Sequence, residues 1–467
     1  MHGDFSRVSY DPARYFASVV YQQGRVDLDA DRNENNDLLL HAVRTLAADL
    51  LGRAVAPARA AGFYVTTNGT GLTVGVGPGS SPAVGRYYVD GLLCEHEQHE
   101  YADQPYPPGI DLPGQAPYWV YLTVWETLVT GAERLDLREP ALGEQASETA
   151  ARSRVAWQVV AAEKLAGNTP PDDREAARKL FDNWAGQRAG LSTGALRAAV
   201  EEPDPASGDP CAIPPTSGYR GLENQLYRVE IRQGGRVGPA NDGPGGDDGE
   251  PSGVTFVWSR ENGSVVTRIR SAPGGTTNDS VLVTVDSLGR DRKLAFEVGD
   301  MVEYVDAATE GRQAAYADGD VADDLLQVTH VDPAAAELTL EGTVDRPLRT
   351  GGLLRRWDHE PELEDDGTVR YGGALPVPNP SSGNPAWIGL ELGLRVSFAN
   401  GRYRPGDYWL IEARTATGDI TWPRDTGPVA LPPRGVAYHH VPLAVILPGT
   451  RIGLRRLVAP VAATDEP

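Results

Sequence analysis

Beyond Gly62 the apolar residues come in short runs, each soon ended by glycine or proline, and 53 Gly and 37 Pro are spread along the chain. Proline removes a backbone donor and glycine weakens regular structure, so such punctuation rules out long helices and favours strands joined by turns. The spacing predicts strands at Gly62–Thr67, Leu72–Val76, Arg86–Cys94, Tyr118–Leu128 and Arg154–Val160. A second group lies at Gln225–Arg232, Val254–Trp258, Val281–Val285, Met301–Val305, Leu325–Val331 and Glu337–Leu340, and a third at Leu392–Phe398, Asp407–Ala413 and Val441–Ile446. In Tyr118–Leu128 the residues Val120, Leu122 and Val124 share one face and Tyr121, Thr123 and Trp125 the other. Both faces are mostly apolar, as in a strand covered on each side.

Two stretches escape the punctuation. From Asn36, Leu39, Val43, Leu46 and Leu50 recur at helical spacing, with Leu40 and Leu51 widening the face and Gly52 as the stop. This stripe is too apolar to face water alone. Pro170-Pro171 introduces a second helix over 172–187, with Ala176, Leu180 and Trp184 on one stripe and acids near its start. A shorter helix is expected from Ala13 to Tyr21, where Asp11 caps and Pro12 takes the first position.

At 467 residues the chain exceeds what one core usually holds. The fold class is therefore mainly β and multidomain, with β-sandwich or barrel-like modules, an N-terminal helical arm and a helical strut near 172–187. The divisions are an arm at 1–55, a first β-domain at 56–167, strut and linker at 168–220, a second β-domain with long loops at 221–350 and a C-terminal β-domain at 351–467. Glu201 to Ser217 and the Gly-rich, acidic Gly234 to Gly253 are loops. No period of repeat architectures appears.

The net charge of −22 excludes nucleic acid as a partner, since phosphate binding needs a basic face. There is no basic-then-apolar leader and no apolar span long enough for a membrane, so the chain is expected to fold in the cytoplasm without direct membrane insertion. Two cysteines, Cys94 and Cys211, do not make a disulfide framework, although one bridge is open.

Candidate chemistry is sparse. Asp27, Asp29, Asp31, Asn33 and Asn35 alternate like the first ligands of a calcium loop, but Arg32 stands where that loop needs Gly and Leu38 where it needs Glu. Turn-shaping and helix-capping carboxylates are the better account. Cys94, His96 and His99 offer three soft ligands, yet strand alternation puts His99 on the opposite face. His439-His440 and Asp358-His359-Glu360 have no nucleophile in a known frame, and no phosphate loop or cofactor motif occurs. The acids Asp323-Asp324 and Glu364-Asp365-Asp366 read as solvated loop faces. Trp119, Trp125 and Trp184 read as core, whereas Trp387 and Trp422, in Pro-rich loops, are candidate glycan contacts.

Several phrases occur together: Gly3-Asp4-Phe5-Ser6-Arg7; Gln22-Gln23-Gly24-Arg25-Val26 running into Asp27-Leu28-Asp29-Ala30-Asp31; Tyr88-Val89-Asp90-Gly91; Val124-Trp125-Glu126; and Glu139-Pro140-Ala141-Leu142-Gly143. To these add Gly221-Leu222-Glu223-Asn224-Gln225-Leu226-Tyr227-Arg228-Val229-Glu230-Ile231, Trp258-Ser259-Arg260-Glu261-Asn262-Gly263-Ser264-Val265 and Tyr403-Arg404-Pro405-Gly406-Asp407-Tyr408-Trp409. Over nearly its whole length the chain resembles a bacterial family of uncharacterised proteins associated with phage-tail-like contractile injection systems. It departs at Arg32, where the resemblance leads one to expect an aromatic residue.

The resemblance implies a non-enzymatic structural component of such a particle, at the baseplate or a tail fibre. Its partners would be other particle subunits, with a homo-oligomer as a further arrangement. It would be assembled in the cytoplasm and carried outside only with the particle. The expected interface is the arm: Phe5, Arg7, Tyr15, Gln22, Gln23, Arg25, Asp29, Asp31, Leu39, Val43, Leu46 and Leu50. The alternatives are an adhesin or carbohydrate-recognition module of a fibre tip, a polysaccharide depolymerase, or a delivered cargo effector.

Overall fold

The computed structural model describes residues 1–67, 71–78, 83–107, 109–143, 148–189, 192–201, 218–238, 251–272, 280–315, 325–344, 346–365, 369–380 and 385–459. The chain is mainly β, with three large cores. In the first, the strands Leu457–Val458, Ala54–Pro57, Gly85–Val89 and Leu92–His96 form one sheet, and Thr450–Gly453, His439–Leu447, Tyr118–Val129 and Arg152–Ala162 form another. A small sheet of Tyr64–Thr67, Leu72–Gly75 and His99–Glu100 completes it. Val89, Cys94, Val120, Leu122, Val124, Val159 and Leu443 are fully buried between them.

The second core lies between a five-stranded sheet and a three-stranded one. The first runs in the order Leu375–Pro378, Pro251–Ser259, Gln225–Gln233, Tyr408–Arg414, Asp419–Thr421, and the second is Ile388–Gly389, Leu394–Phe398, Leu196–Val200. The third is a closed six-stranded barrel of Val266–Ser271, Ser280–Val285, Glu337–Glu341, Leu325–Asp332, Met301–Val305 and Leu353–Trp357.

The modules are nested. The barrel is inserted into the second module, and the second module into the first, whose strand Tyr118–Val129 pairs with His439–Leu447 from the far end of the chain. Residues 351–467 are thus divided: Leu353–Trp357 closes the barrel, 375–431 belong to the second core, and 439–458 complete the first.

Helix α1 spans Asp29–Leu51 and α2 spans Arg174–Ala189. α1 begins a full two turns before Asn36, because Asp29 and Asp31 suit the positive end of a helix. No helix forms over Ala13 to Tyr21: after the turn Pro12–Arg14, capped by Asp11, Tyr15 takes a left-handed conformation (φ 55°) that stops it. In α2 the inward residues are Ala177, Phe181 and Trp184, with Ala176 exposed, one position off the expected stripe. They cover Trp119, Tyr121 and Val445 on the outer face of the first module. The strand Tyr118–Val129 is covered on both faces for that reason. The last turn of α2 reaches the second module, where its Arg188 carbonyl accepts from Arg404. A short α3, Ala307–Ala315, leaves the barrel and packs Ala314 against Trp125 and Tyr438 of the first module.

Candidate functional site: an exposed helix face and a central cleft

The run Tyr88-Val89-Asp90-Gly91 makes the tight turn between two strands, with φ of 47° at Asp90 and 82° at Gly91, the pair of positive angles such hairpins demand. α1 lies directly on that turn. A Cβ at Gly91 would stand 2.2 Å from the carbonyl oxygen of Arg44. The Arg44 guanidinium then reaches Glu126 with two bonds of 2.8 and 2.7 Å, and Leu38 and Ala30 are buried beneath the helix. The face so anchored is small and polar. The opposite face holds Leu39, Val43, Leu46 and Leu50, which remain 63, 55, 59 and 75% exposed.

The segment before α1 divides in two. Residues 1–10 bind the chain's own body: Gly3 is buried, Phe5 and Arg7 are half-buried, and Arg7 approaches Asp31 at 3.7 Å. Phe5 and Arg7 therefore serve an intramolecular contact. Residues 15–28 stay outside, with Tyr15 at 91% exposure and Gln22, Gln23 and Arg25 all exposed.

The three aspartates of the calcium-like pattern do not converge. Asp27 pairs with Arg32, Asp29 accepts from the Ser6 amide and hydroxyl at 3.0 and 2.5 Å, and Asp31 faces Arg7. Among the described residues no group of three His, Cys, Asp or Glu side chains could hold a metal. In the Cys94 cluster, His96 Nε2 accepts from the Phe63 amide at 2.6 Å and Nδ1 faces the Glu97 carbonyl, so neither nitrogen is left for a ligand. Cys94 is a free, buried thiol; Cys211 lies outside the described residues.

His439 bonds Asp90 at 2.7 Å, His440 bonds Thr123 at 3.0 Å, and His359 faces the Gly373 carbonyl, so each is used structurally in a different place. Glu364 pairs with Arg370 at the surface, and Asp323, Asp324 and Asp366 lie outside the described residues. Trp422 is a correction: it is 8% exposed, sits in the second core, and donates to the Val429 carbonyl at 2.9 Å. Trp387 is half-buried under the Arg395 guanidinium, 4.7 Å from its ring centre. Neither presents a bare ring to a sugar.

A cleft of roughly 580 Å³ opens where the three modules meet, lined by His2, Glu133, Arg228, Glu303, Glu310 and Tyr438, among others. The N-terminal residues form part of its wall. Gly3 exchanges bonds with Asn262, its amide to the Asn262 carbonyl at 3.3 Å and its carbonyl to the Asn262 side chain at 2.8 Å. His2 Nε2 lies 2.9 Å from Glu230, which also receives Arg228, whose guanidinium stacks on Tyr408. Beside them Glu303, 3% exposed, accepts from Arg232 at 2.7 Å, Arg355 at 3.2 Å and Trp357 at 3.3 Å. The sequence signal for these residues was a charge in mid-strand, Glu303 inside Met301–Val305 and Arg228 with Glu230 inside Gln225–Gln233. In a strand buried on both faces such a charge must find a partner.

Glu310 on α3 differs. One oxygen accepts from Thr127 at 3.3 Å, and the other is buried with no partner among the described residues. Burial, then the Glu133 carboxylate, pushes its carboxyl up to about 7. Burial likewise holds the His96, His359 and His440 imidazoles down, to about 4, 4 and 3.

These shifts act in opposite senses. Each histidine contributes stability that is complete above its unfolded value of 6.5 and is lost as pH falls toward its folded value. Glu310 contributes stability that is complete below 4.5 and is lost as pH rises through 7. Thermal unfolding followed from pH 4 to 8 should therefore give a shallower acid-side loss for His440→Gln, by about one proton's worth of slope, and a steeper one for Glu310→Gln. Unchanged slopes in both variants would refute the assignment.

A family model matches residues 1–169 and 160–448, and the chain belongs to that family, DUF6519, a family of unknown function. No curated protein and no solved structure matches it. Among the described residues no helix is long and apolar enough to cross a membrane.

Proposed function

We propose that the chain is a non-enzymatic structural component of a contractile, phage-tail-like particle, at the baseplate or a tail fibre, joined to its neighbour through α1 and residues 15–28. The particle follows from the sequence resemblance. The attachment rests on one observation: α1 is fixed to the body by Arg44, Leu38 and Gly91 while its apolar face is left in water. Burying a Leu or Val fully contributes about 1.5–3 kcal/mol, so four such residues on one rigid stripe are a strong incentive to bind. The aromatic and aliphatic side chains of Tyr15, Phe16, Val20, Tyr21 and Val26 extend the surface.

Deleting residues 1–52 would test this poorly, since it would also remove His2 and Gly3 from the cleft. The sharper test is Leu39→Glu with Leu46→Glu, both at exposed positions. Particles purified from cells carrying this folded double variant should lack the chain. Recovery at the parental ratio would refute attachment through α1.

One observation favours a second reading, a polysaccharide depolymerase: a cleft lined by Glu133 and Glu310, the latter's carboxyl pushed up to about 7, in the range that suits a general acid. Against it, Glu230 and Glu303 are occupied by arginines and the bare Glu310 oxygen is fully enclosed. Loss of a measurable glycan-cleaving activity in Glu310→Gln would move the balance toward this reading.

A further inference from the structure

We infer that the partner covering the exposed face of α1 is a second copy of this chain, the two helices pairing in parallel as a short two-stranded coiled coil. The inference rests on α1 being an interface, as proposed above, but not on the particle. Asn36, Leu39, Val43, Leu46 and Leu50 are separated by three, four, three and four residues. That is the alternation of a heptad seam, with Asn36, Val43 and Leu50 in its first class of position and Leu39 and Leu46 in its fourth. Valine in the first class with leucine in the fourth favours two parallel strands, and one asparagine in the first class fixes register and number at some cost in stability.

The structure leaves this seam free. All five residues are exposed, while the side chains between them that face elsewhere, Asp37, Leu38, Arg44 and Ala48, are buried or half-buried against the body. The two bodies would therefore sit on the outer sides of the pair without blocking it. The helix is already folded on its own domain, so pairing does not bear the nucleation cost that makes isolated two-heptad helices marginal.

Charge permits the same partner. In a chain of net charge −22, most surfaces repel their own copy. Between Glu34 and Asp49, however, the only charged side chains on α1 are Asp37 and Arg44, and Arg44 is turned onto Glu126; His41 is the one other titratable group. The seam face is uncharged over that length.

Area favours a face wider than the seam, since stable pairs bury roughly 1,200 Å² or more in total. The extended segment beside α1 widens it. Its Val19 amide donates to Asn35 at 3.1 Å and its Asp27 pairs with Arg32, which holds Val20, Tyr21, Val26 and Leu28 alongside the helix with their side chains exposed.

The test uses the full chain, with its mass in solution measured at micromolar concentration. The parent should show twice the monomer mass, and Leu39→Glu with Leu46→Glu should halve it without altering circular dichroism. Val43→Cys should cross-link to its own copy under mild oxidation, whereas Thr45→Cys, exposed on the same helix but off the seam, should not. A monomeric parent, a dimer that survives the double substitution, or a Val43→Cys dimer that does not cross-link would each overturn the inference. If the parent is monomeric and the double variant still leaves the particle, attachment through α1 stands and only the second copy is excluded.

Discussion

Glu303→Gln should destabilise the junction between the barrel and the second module by about 3–5 kcal/mol, the range seen when one member of a buried ion pair is removed. Glu303 sits in the strand Met301–Val305 and is 3% exposed, with Arg232 arriving from the second module and Arg355 from the barrel itself. Burial alone would push its carboxyl up, but the two guanidiniums outweigh it and hold the group below its ordinary value. With a neutral amide there, the two partly buried guanidiniums lose the carboxylate they share. The cost is the weakened compensation of buried charge, not the lost attraction.

That distinction can be measured. In Glu303→Leu combined with Arg232→Met and Arg355→Met, the carboxylate and both of its guanidiniums are removed together, and most of the loss should be recovered. Calorimetry should show the barrel's transition moving down and separating from the rest in the single variant, then returning in the triple one. A triple variant less stable than Glu303→Gln would show that the ion pairs are net stabilising and that lost attraction is the main cost. Several modules unfold here, so the separate transitions are the readout and a single midpoint is not.

The same junction shows what the sequence could and could not give. Strand positions were legible because alternation and Gly or Pro punctuation are local: Tyr118–Val129, Gln225–Gln233 and Met301–Val305 fall within a residue or two of the predicted runs. The predicted run Arg86–Cys94 is two strands, because Asp90-Gly91 is a turn that apolar content alone does not reveal.

Partnership was not legible. Nothing local to Val441 says that it lies opposite Leu122, and so the nesting of the modules was hidden. The phrases that carry the resemblance gain a physical meaning only in three dimensions. Gly3, Arg228 with Glu230, Asn262 with Gly263, and Tyr408 come from four of them and meet at the central cleft. Gly263 in particular leaves the room His2 occupies, since a Cβ there would lie 2.7 Å from the imidazole. On α1 the stripe was legible, but its orientation was not: which face meets the body depended on Arg44 finding Glu126 and on the absence of a side chain at Gly91.

Gly91→Ala should release α1 from the body while leaving the β-modules folded. Two penalties act at that position. The backbone, at φ 82°, is in the left-handed region where a side chain costs on the order of 1–3 kcal/mol. The new Cβ would also meet the Arg44 carbonyl oxygen at 2.2 Å and its carbon at 2.7 Å, and backbone atoms cannot turn away as a side chain can. Either the hairpin or the helix must yield. The hairpin's flanking residues Val89 and Leu92 are in the first core, whereas α1 buries only Ala30 and Leu38 and is otherwise held by polar contacts, Arg44 to Glu126 and Asp29 and Asp31 to Ser6 and Arg7, so the helix is the weaker party. Gly52→Ala supplies the control, because Gly52 has nearly the same φ of 85° but open space where its Cβ would be. Hydrogen exchange over residues 29–51 should become fast in Gly91→Ala and remain slow in Gly52→Ala, with Tyr118–Val129 protected in both. Because the seam of Leu39, Val43, Leu46 and Leu50 exists only while the helix is folded, Gly91→Ala should also abolish self-association, without touching any residue of that face. Protection of α1 at the parental level in Gly91→Ala would mean that the helix is not seated on this turn, and the orientation that exposes its apolar stripe would lose its physical basis.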